Sequence, residues 1–320
     1  MKQYLELMKY VLDNGDVKDD RTGVGTISSF GHHLKFDLRE GFPATTTKKL
    51  AWKAVVSELI WFLKGSTNLY DLREILHGRN QRYNDAKKTI WDGNHDKQAL
   101  DLGYIGGYMG EIYGGQWRNY GSGMVEIYDS EDGASYPYDI GGVDQVKLVI
   151  EEANRDPNSR RLIVDAWNPR AVWAKEVLRQ QHDQRTYELE VCTAALPPCH
   201  MLFQLNIVNG FIDLQWYQRS VDSFLGEAFN IASYALLLHI FARILGYTPR
   251  YLGGALGDVH IYNNHIEQAK EQISREPYAL PSIWINPELK TLEDFENASV
   301  DDFKLIDYQH HPAIKADMAV

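Results

Sequence analysis

The sequence predicts an α+β fold within a single domain that covers residues 1–320. Helix-like and strand-like segments are mixed along the chain, and neither an internal repeat nor a Pro- or Ser-rich linker divides it. The composition is that of a folded protein, with 44% hydrophobic and 24% charged residues. These observations exclude a fibrous or largely disordered chain.

Several segments carry clear local patterns. An amphipathic helix begins the chain and is expected to end at Asn14-Gly15. Loose alternation over residues 26–38 predicts a strand, and apolar residues at helical spacing over 50–63 predict a second helix. Polar stretches without periodicity predict loops or surface insertions near 78–90, 119–142 and 175–190.

Residues 199–219 predict a β-hairpin. Two strand-like runs flank Asn209-Gly210, a dipeptide that strongly favours a two-residue turn. With that turn, the numbers of residues paired across the hairpin sum to 419, so Cys199 is expected opposite Ser220, with Gln218 and Arg219 close by. A thiol, a guanidinium and a hydroxyl in one place indicate a site rather than a packing cluster.

Residues 228–245 form the most apolar stretch, and their length would be sufficient to cross a bilayer. Asn230, His239 and Arg243 lie inside the stretch, where they would be costly in lipid. Gly246 follows as a helix stop. We therefore expect a core helix and no membrane partner.

The charge balance and the cysteines narrow the function classes. Lys plus Arg minus Asp plus Glu is 33 − 44 = −11, which disfavours a nucleic-acid-binding surface, so an anionic ligand needs a local cluster of cations. The spacing of Cys192 and Cys199 fits neither a disulfide scaffold nor a zinc motif, and no metal is expected. Because the N-terminus lacks an apolar signal run, a cytoplasmic protein is expected.

Cys199 is the candidate nucleophile. A lone cysteine is more often a small buried hydrophobe, but this one follows Pro197-Pro198 and is expected beside Arg219, whose guanidinium favours a thiolate. Successive side chains on a strand point to opposite faces, so His200 is expected to be structural and not the base of a Cys–His hydrolase.

Other polar residues lie where exposure is not expected. Glu58 falls within the apolar helix over 50–63, where a carboxylate either pairs with a cation or serves in acid–base chemistry. Asn230 must bond backbone or a ligand, and His260 and Tyr262 share one face of a strand. Arginines with Ser220 could form a phosphate cradle, if the fold brings them together: Arg21, Arg160, Arg161 and Arg219.

These residues belong to blocks that together resemble the thymidylate synthase family. The blocks run in family order along the whole chain: Asp20-Arg21-Thr22-Gly23, Glu58-Leu59-(x)-Trp61-Phe62-Leu63, Ile90-Trp91-Asp92, Tyr113-Gly114-(x)-Gln116-Trp117-Arg118, Arg160-Arg161, Ala166-Trp167-Asn168-Pro169, Pro198-Cys199-His200, Gln218-Arg219-Ser220, Phe229-Asn230-Ile231-Ala232-Ser233-Tyr234, Gly257-Asp258-(x)-His260-Ile261-Tyr262 and Met318-Ala319-Val320. The resemblance implies an α+β dimer with a large twisted mixed sheet at the subunit interface. It also implies deoxyuridylate (dUMP) and 5,10-methylenetetrahydrofolate as substrates, with no metal.

The resemblance also implies roles for individual residues. Cys199 adds to carbon 6 of the uracil ring. The other catalytic positions are Glu58, Tyr113, Arg219, Asp222 and Asn230. The nucleotide-binding positions are Arg21, Gln218, Arg219, Ser220, Asn230, His260 and Tyr262, with Arg160 and Arg161 donated by the partner subunit. The folate-side positions are Lys48, Trp91, Asp222, Leu225, Gly226, Phe229 and Ala319.

The chain departs from the family pattern in two blocks that usually contain proline. The family's Leu-Gly-(Leu/Val)-Pro-Phe-Asn reads Leu225-Gly226-Glu227-Ala228-Phe229-Asn230, and its Gly-Pro-(x)-Tyr-Gly reads Gly110-Glu111-Ile112-Tyr113-Gly114. Asp165 and Asn94 are further departures. If these changes are neutral, Glu111 and Glu227 should point to solvent. If they change the chemistry, they could position a water.

Two related activities are therefore carried forward. Thymidylate synthesis is favoured by Trp91 and the Met318-Ala319-Val320 tail, which resemble the features that exclude water from the family's site. The alternative is a dUMP hydroxymethylase, in which water attacks the same intermediate. Asn230 favours uracil over cytosine, because an aspartate would suit the cytosine amino group better. Retention of Cys199 together with Glu58 disfavours a catalytically silent binding protein.

Overall fold

The computed structural model describes residues 1–20, 22–128, 135–173 and 193–317. The α-helices are α1 (Lys2–Asn14), α2 (Trp52–Leu63), α3 (Leu69–His77), α4 (Asp92–Asn94), α5 (Tyr113–Asn119), α6 (Gln145–Arg155), α7 (Glu227–Leu245), α8 (Ile266–Ser274) and α9 (Leu292–Glu296). The strands are β1 (Asp16–Lys18), β2 (Thr26–Asp37), β3 (Gly123–Tyr128), β4 (Ser135–Ile140), β5 (Ile163–Asp165), β6 (His200–Val208), β7 (Phe211–Asp222), β8 (Thr248–Tyr262), β9 (Ser282–Ile285) and β10 (Phe303–Ile306).

The chain divides into two compact units. The first contains Met1–Ile60, Ile150–Ile163 and Cys199–Val320, and the second contains Trp61–Val149 and Val164–Pro198. The single domain expected over 1–320 and its insertions therefore stay predictions. The insertion expected near 175–190 lies outside the described residues.

A mixed six-stranded sheet organises the first unit, with the strand order β1-β2-β8-β7-β6-β5. Its central strands β7 and β8 run parallel, and α7 connects them in sequence, as a parallel pair requires. The pairs β1–β2, β2–β8 and β6–β7 are antiparallel. This mixture of strands and helices confirms the α+β class.

Helix α7 is the core helix that the sequence predicts. It is long and apolar enough to cross a membrane by length and composition, but most of its residues are buried within the protein. Tyr234 on this helix stacks on Trp216 of β7 with ring centroids 5.1 Å apart. Gly254 of β8 allows this packing, because a Cβ there would lie 2.5 Å from the Trp216 ring. Gly246 ends the helix in the left-handed conformation.

The predicted hairpin is formed by β6 and β7. Asn209 and Gly210 have φ values of 51° and 80°, as a two-residue turn of this type requires. Pairs from Val208↔Phe211 to Leu202↔Tyr217 keep the predicted register. A β-bulge between His200 and Leu202 then shifts the register by one residue, because the bulged strand carries an extra residue.

In the second unit, residues 119–142 contain strands where the sequence predicts a loop or a surface insertion, so the loop is wrong and the insertion stays a prediction. Strands β3 and β4 pair as a two-stranded antiparallel sheet, in register from Gly123↔Ile140 to Tyr128↔Ser135. The alternating Val125, Ile127 and Tyr136, Tyr138 are typical strand residues that the surrounding Gly and Asp residues obscured. Residues 82–91 contain neither helix nor strand, whereas Arg79–Gln81 form a 3-10 helix within the segment near 78–90.

Candidate active site

Cys199 lies immediately before β6, at the bulged end of the hairpin. It is half-buried, and its carbonyl oxygen accepts a hydrogen bond from the Arg219 backbone N–H at 2.8 Å. The bulge therefore places Arg219 opposite Cys199, and the predicted pairing with Ser220 is wrong by one residue. The predicted proximity of the thiol and Arg219 is confirmed at the level of the backbone.

His200 points into the core, as expected of a structural residue. The residue is 9% exposed, and its Nδ1 lies 2.8 Å from the Tyr234 hydroxyl oxygen. Burial lowers the pKa of His200 to about 3, so the ring is neutral at physiological pH. A neutral ring bonded to Tyr234 fits a packing role and not that of a base for Cys199.

The parallel pairing of β7 and β8 brings polar residues together at one end of the sheet. Ser220 is the register partner of Asp258, and Asp222 is the partner of His260. His260 and Tyr262 share a face, with ring centroids 5.2 Å apart. The sequence-predicted nucleotide positions Ser220, His260 and Tyr262 therefore belong to one neighbourhood of the first unit.

Asp258 anchors the His260 ring. Its Oδ1 lies 3.2 Å from His260 Nδ1 and accepts a hydrogen bond from Ser28 Oγ at 2.8 Å, while Lys18 forms an ion pair with Oδ2. The hydrogen bond from His260, followed by those from Lys18 and Ser28, holds the pKa of Asp258 well below its usual range. The sequence indicates no role for Lys18, Ser28 or Asp258, because only the pairing of the strands shows that they meet.

Asp222 forms the turn that leads into α7. Its Oδ1 accepts hydrogen bonds from the backbone N–H groups of Phe224 and Leu225 at 3.1 and 3.0 Å. Gly226 donates to the Asp222 carbonyl at 3.0 Å and accepts from the backbone N–H of Asn230 at 3.1 Å. These bonds hold Asp222, Leu225, Gly226 and Asn230 on two successive turns, with Phe229 on the same segment.

Lys48 lies next to this turn. Its side chain is buried, with Nζ bonded to the Phe224 carbonyl and 3.9 Å from the centre of the Phe224 ring. Burial lowers the pKa of Lys48 to about 8, against the opposing effect of the Asp222 carboxylate. Lys48 therefore supports the Asp222 turn, and its folate contact stays a prediction.

The remaining first-unit positions differ in exposure. Glu58 is half-buried on α2 between buried Val55, Val56 and Leu59, which confirms a carboxylate on a largely apolar helix. Arg160 and Arg161 are exposed just before β5. Arg21 and Ala319 lie outside the described residues.

Trp91 and Tyr113 meet within the second unit. Their ring centroids are 5.8 Å apart, and Phe62 stacks on Tyr113 at 5.0 Å. Trp91 is 5% exposed and Tyr113 is 3% exposed. These two sequence-predicted residues therefore share one aromatic cluster.

Glu111 and Glu227, the two carboxylates in the altered blocks, are not exposed to solvent as neutral changes would be. Glu227 is 0% exposed, and both its carboxyl oxygens are buried without a hydrogen-bond partner in the described part of the chain. Burial raises the pKa of Glu227 well above its usual value, and nearby Asp222 raises it further. The expectation that Glu227 points to solvent is wrong, because the first turn of α7 directs it into the core.

Glu111 is half-buried two residues before Tyr113. The Tyr108 hydroxyl lies 3.3 Å from its Oε1. Burial raises the pKa of Glu111, and the bond from Tyr108 opposes that shift.

The described residues contain no group of three or more His, Cys, Asp or Glu side chains that could hold a metal ion.

Comparisons with known proteins agree with this geometry. The family model for thymidylate synthase matches residues 2–320. The chain is 46% identical over 329 residues to the thymidylate synthase of Enterobacteria phage T4 and 45% identical over 322 residues to the probable thymidylate synthase of Escherichia phage T5, with 100% of each chain covered. The crystal structure of thymidylate synthase from T4 phage superimposes with a TM-score of 0.81 at 46% identity and covers 100% of both chains. The resemblance is thereby confirmed, and this chain belongs to the thymidylate synthase family.

Proposed function

We propose that this chain is a thymidylate synthase that converts dUMP and 5,10-methylenetetrahydrofolate into dTMP and dihydrofolate. The observation that carries the proposal is the pairing of Cys199 with Arg219 at the bulged end of the β6–β7 hairpin. A nucleophile beside a guanidinium suits a substrate that offers both an electrophilic ring carbon and a phosphate. Identity of 45–46% over the full length of two phage relatives supports it.

The first chemical step belongs to Cys199. Its thiolate adds to carbon 6 of the uracil ring, which makes carbon 5 nucleophilic towards the one-carbon unit. Asn230 holds the uracil edge, since its amide offers both a donor and an acceptor. His260 and Tyr262 bind the ribose hydroxyl, and the Asp258 anchor fixes the orientation of the imidazole.

The phosphate is held by Arg219 and Ser220, together with Arg21. Exposed Arg160 and Arg161 reach the active site of a second copy, so the active enzyme is a homodimer. This requirement can be tested by mixing two inactive variants, Cys199→Ser and Arg160→Ala/Arg161→Ala. Mixed dimers with one complete site should regain activity, and failure to regain it would contradict the shared site.

Later steps require proton transfer and exclusion of water. Glu58 organises waters and moves protons, and Tyr113 assists removal of the proton from carbon 5. The folate is held by Trp91, Asp222, Leu225, Gly226 and Phe229, together with Lys48 and Ala319. It supplies both the methylene group and the hydride that completes the methyl group. We place the enzyme in the cytoplasm.

Glu111 supports a second candidate activity, dUMP hydroxymethylation. A half-buried carboxyl with a raised pKa, two residues from Tyr113, has the character of a group that could deliver water to the exocyclic methylene. Glu227 does not favour this activity, because its 0% exposed carboxyl cannot hold a solvent water at a substrate.

One assay separates the two activities. Purified enzyme is mixed with dUMP and methylenetetrahydrofolate, the absorbance of dihydrofolate is followed, and the nucleotide is identified by mass. We expect dTMP and dihydrofolate in equal amounts from the wild type, and neither from Cys199→Ser. Hydroxymethyl-dUMP without dihydrofolate would establish the second activity, and Glu111→Pro, which restores the family residue, should then reduce that product.

A further inference from the structure

A buried ion pair adjoins Trp91, and the proposed mechanism makes no use of it. Arg73 of α3 and Asp92 of α4 bond through Nη2 and Oδ1, with side chains only 5% and 3% exposed. Arginine and aspartate are rarely buried so completely unless they are paired. Removing both charges from water costs free energy that offsets their attraction, so stabilisation of the fold alone does not account for the pair.

The pair connects to the backbone of Trp91 through Thr89. The second carboxylate oxygen of Asp92 accepts hydrogen bonds from the Thr89 backbone N–H at 2.6 Å and from its hydroxyl at 3.0 Å. The Thr89 hydroxyl oxygen in turn accepts from the Trp91 backbone N–H at 3.2 Å. A continuous chain of polar contacts therefore runs from Arg73 to the peptide that carries the indole.

Three aromatic rings of the second unit lie against the Trp91 indole. Trp61, Phe62 and Tyr113 lie with centroids 5.4, 6.4 and 5.8 Å from it. These edge contacts restrict the indole but provide no directional bond that would fix the main chain. The polar chain from Arg73 holds the backbone N–H of Trp91, while the Trp91 carbonyl accepts a hydrogen bond from the His95 backbone N–H at 2.9 Å.

Charge is retained at this pair despite its burial. Burial favours the neutral carboxyl, but the hydrogen bonds from Arg73 and Thr89 hold the pKa of Asp92 below its usual value. Asp85, which is 91% exposed in the segment near 78–90, also bonds Arg73 Nη1 at 3.0 Å. The Arg73 guanidinium therefore bonds both Asp85, in the segment near 78–90, and Asp92, which holds the turn at Thr89.

We propose that Arg73 is a positioning residue for the reduced-folate subsite, acting through Asp92 and Thr89 to fix the indole of Trp91. This inference rests on the proposed function, in which Trp91 contacts the folate. Arg73 itself touches neither substrate. Its planar fork bonds two carboxylates at once, which a lysine ammonium cannot reproduce in the same geometry.

The test compares two variants with a matched control. Arg73→Lys keeps the charge but loses the fork, and Thr89→Val removes only the hydroxyl link while it leaves the buried charges paired. Arg82→Met is the control, because Arg82 bonds Asp71 and Glu74 near α3 without a described contact to Trp91. Steady-state KM values for methylenetetrahydrofolate and for dUMP are measured separately, with Tm as the check on folding.

We expect the KM for methylenetetrahydrofolate to rise about tenfold in Arg73→Lys and several-fold in Thr89→Val, the order typical of a misplaced binding group. The KM for dUMP should stay near the wild-type value, and Arg82→Met should change neither constant. If Arg73→Lys fails to fold, Thr89→Val alone decides the outcome. An unchanged folate KM, or an equal rise in both constants, would overturn the positioning role. A wild-type enzyme without turnover would overturn the proposed function, and this inference with it.

Discussion

Glu227 should make the folded enzyme less stable than a chain with leucine at that position. Its side chain is 0% exposed and both carboxyl oxygens lack a partner among the described residues. A buried polar group without a partner costs about 1–3 kcal/mol, and a buried leucine adds about 1.5–3 kcal/mol of apolar burial. The leucine must fit a site shaped around a carboxyl side chain, so we expect Glu227→Leu to stabilise the protein by about 2–4 kcal/mol at acidic pH, where this carboxyl is protonated in both the folded and the unfolded chain, and by more near neutral pH.

The gain from this substitution should depend on pH. Burial raises the pKa of Glu227 well above its usual value, so the folded state keeps a proton that the unfolded chain releases near pH 4.3. The neighbouring charged and titratable groups are Asp222 and Tyr4, and Lys48 lies close to Asp222. Between pH 4.3 and the raised pKa, the wild type should lose about 1.4 kcal/mol per pH unit relative to the leucine variant.

Equilibrium urea unfolding at pH 5, 6, 7 and 8 measures this difference, at one protein concentration because the enzyme is proposed to be a dimer. Glu227→Gln is the control: it has nearly the same shape but no titrating group, so its stability should run parallel to that of Glu227→Leu. Wild-type and Glu227→Leu curves that run parallel across this range would refute the buried neutral acid. A less stable leucine variant would refute the unpaired carboxyl.

Two further substitutions separate binding from packing. Asp258→Asn removes the ion pair with Lys18 and weakens the anchor of His260, so the KM for dUMP should rise about tenfold. The Tm should fall little, because the ion pair is partly exposed. An unchanged KM for dUMP would contradict the anchoring role of Asp258. His200→Ala removes a buried ring and its hydrogen bond to Tyr234, so it should destabilise the enzyme by about 2–4 kcal/mol. The kcat per folded site should stay within a few-fold of the wild-type value. A large loss of kcat at an unchanged Tm would contradict the structural role of His200.

The sequence predicts most of the elements that hold the site. The helices over 2–14 and 52–63, the strand over 26–37 and the Asn209-Gly210 hairpin follow from period and turn chemistry, and the structure confirms them. The bulge before Leu202 could not be predicted, because it lies at the first residues of β6, where too few strand residues precede it to show a break in the alternation. The pairing of Cys199 with Arg219 therefore required the structure.

Contacts that depend on tertiary register were also beyond the sequence. Asp258 meets Lys18 and Ser28 only because β8 pairs with β2, and their numbers lie more than two hundred apart. The burial of Glu227 could not be distinguished from exposure, since the first turn of a helix can present either face to the core. The sequence around Arg73 is typical of an exposed cation on a helix surface, and only the structure shows its buried pairing with Asp92.

The covalent role of Cys199 can be tested most directly with 5-fluoro-dUMP. Its carbon 5 carries fluorine in place of the proton that must leave, so the covalent intermediate cannot proceed to product. The enzyme is incubated with this nucleotide and methylenetetrahydrofolate, and its peptides are analysed by mass spectrometry. We expect a ternary adduct on the peptide that contains Cys199, and none in Cys199→Ser. An unmodified Cys199 peptide in an otherwise active enzyme, or an adduct on Cys192 instead, would contradict the account.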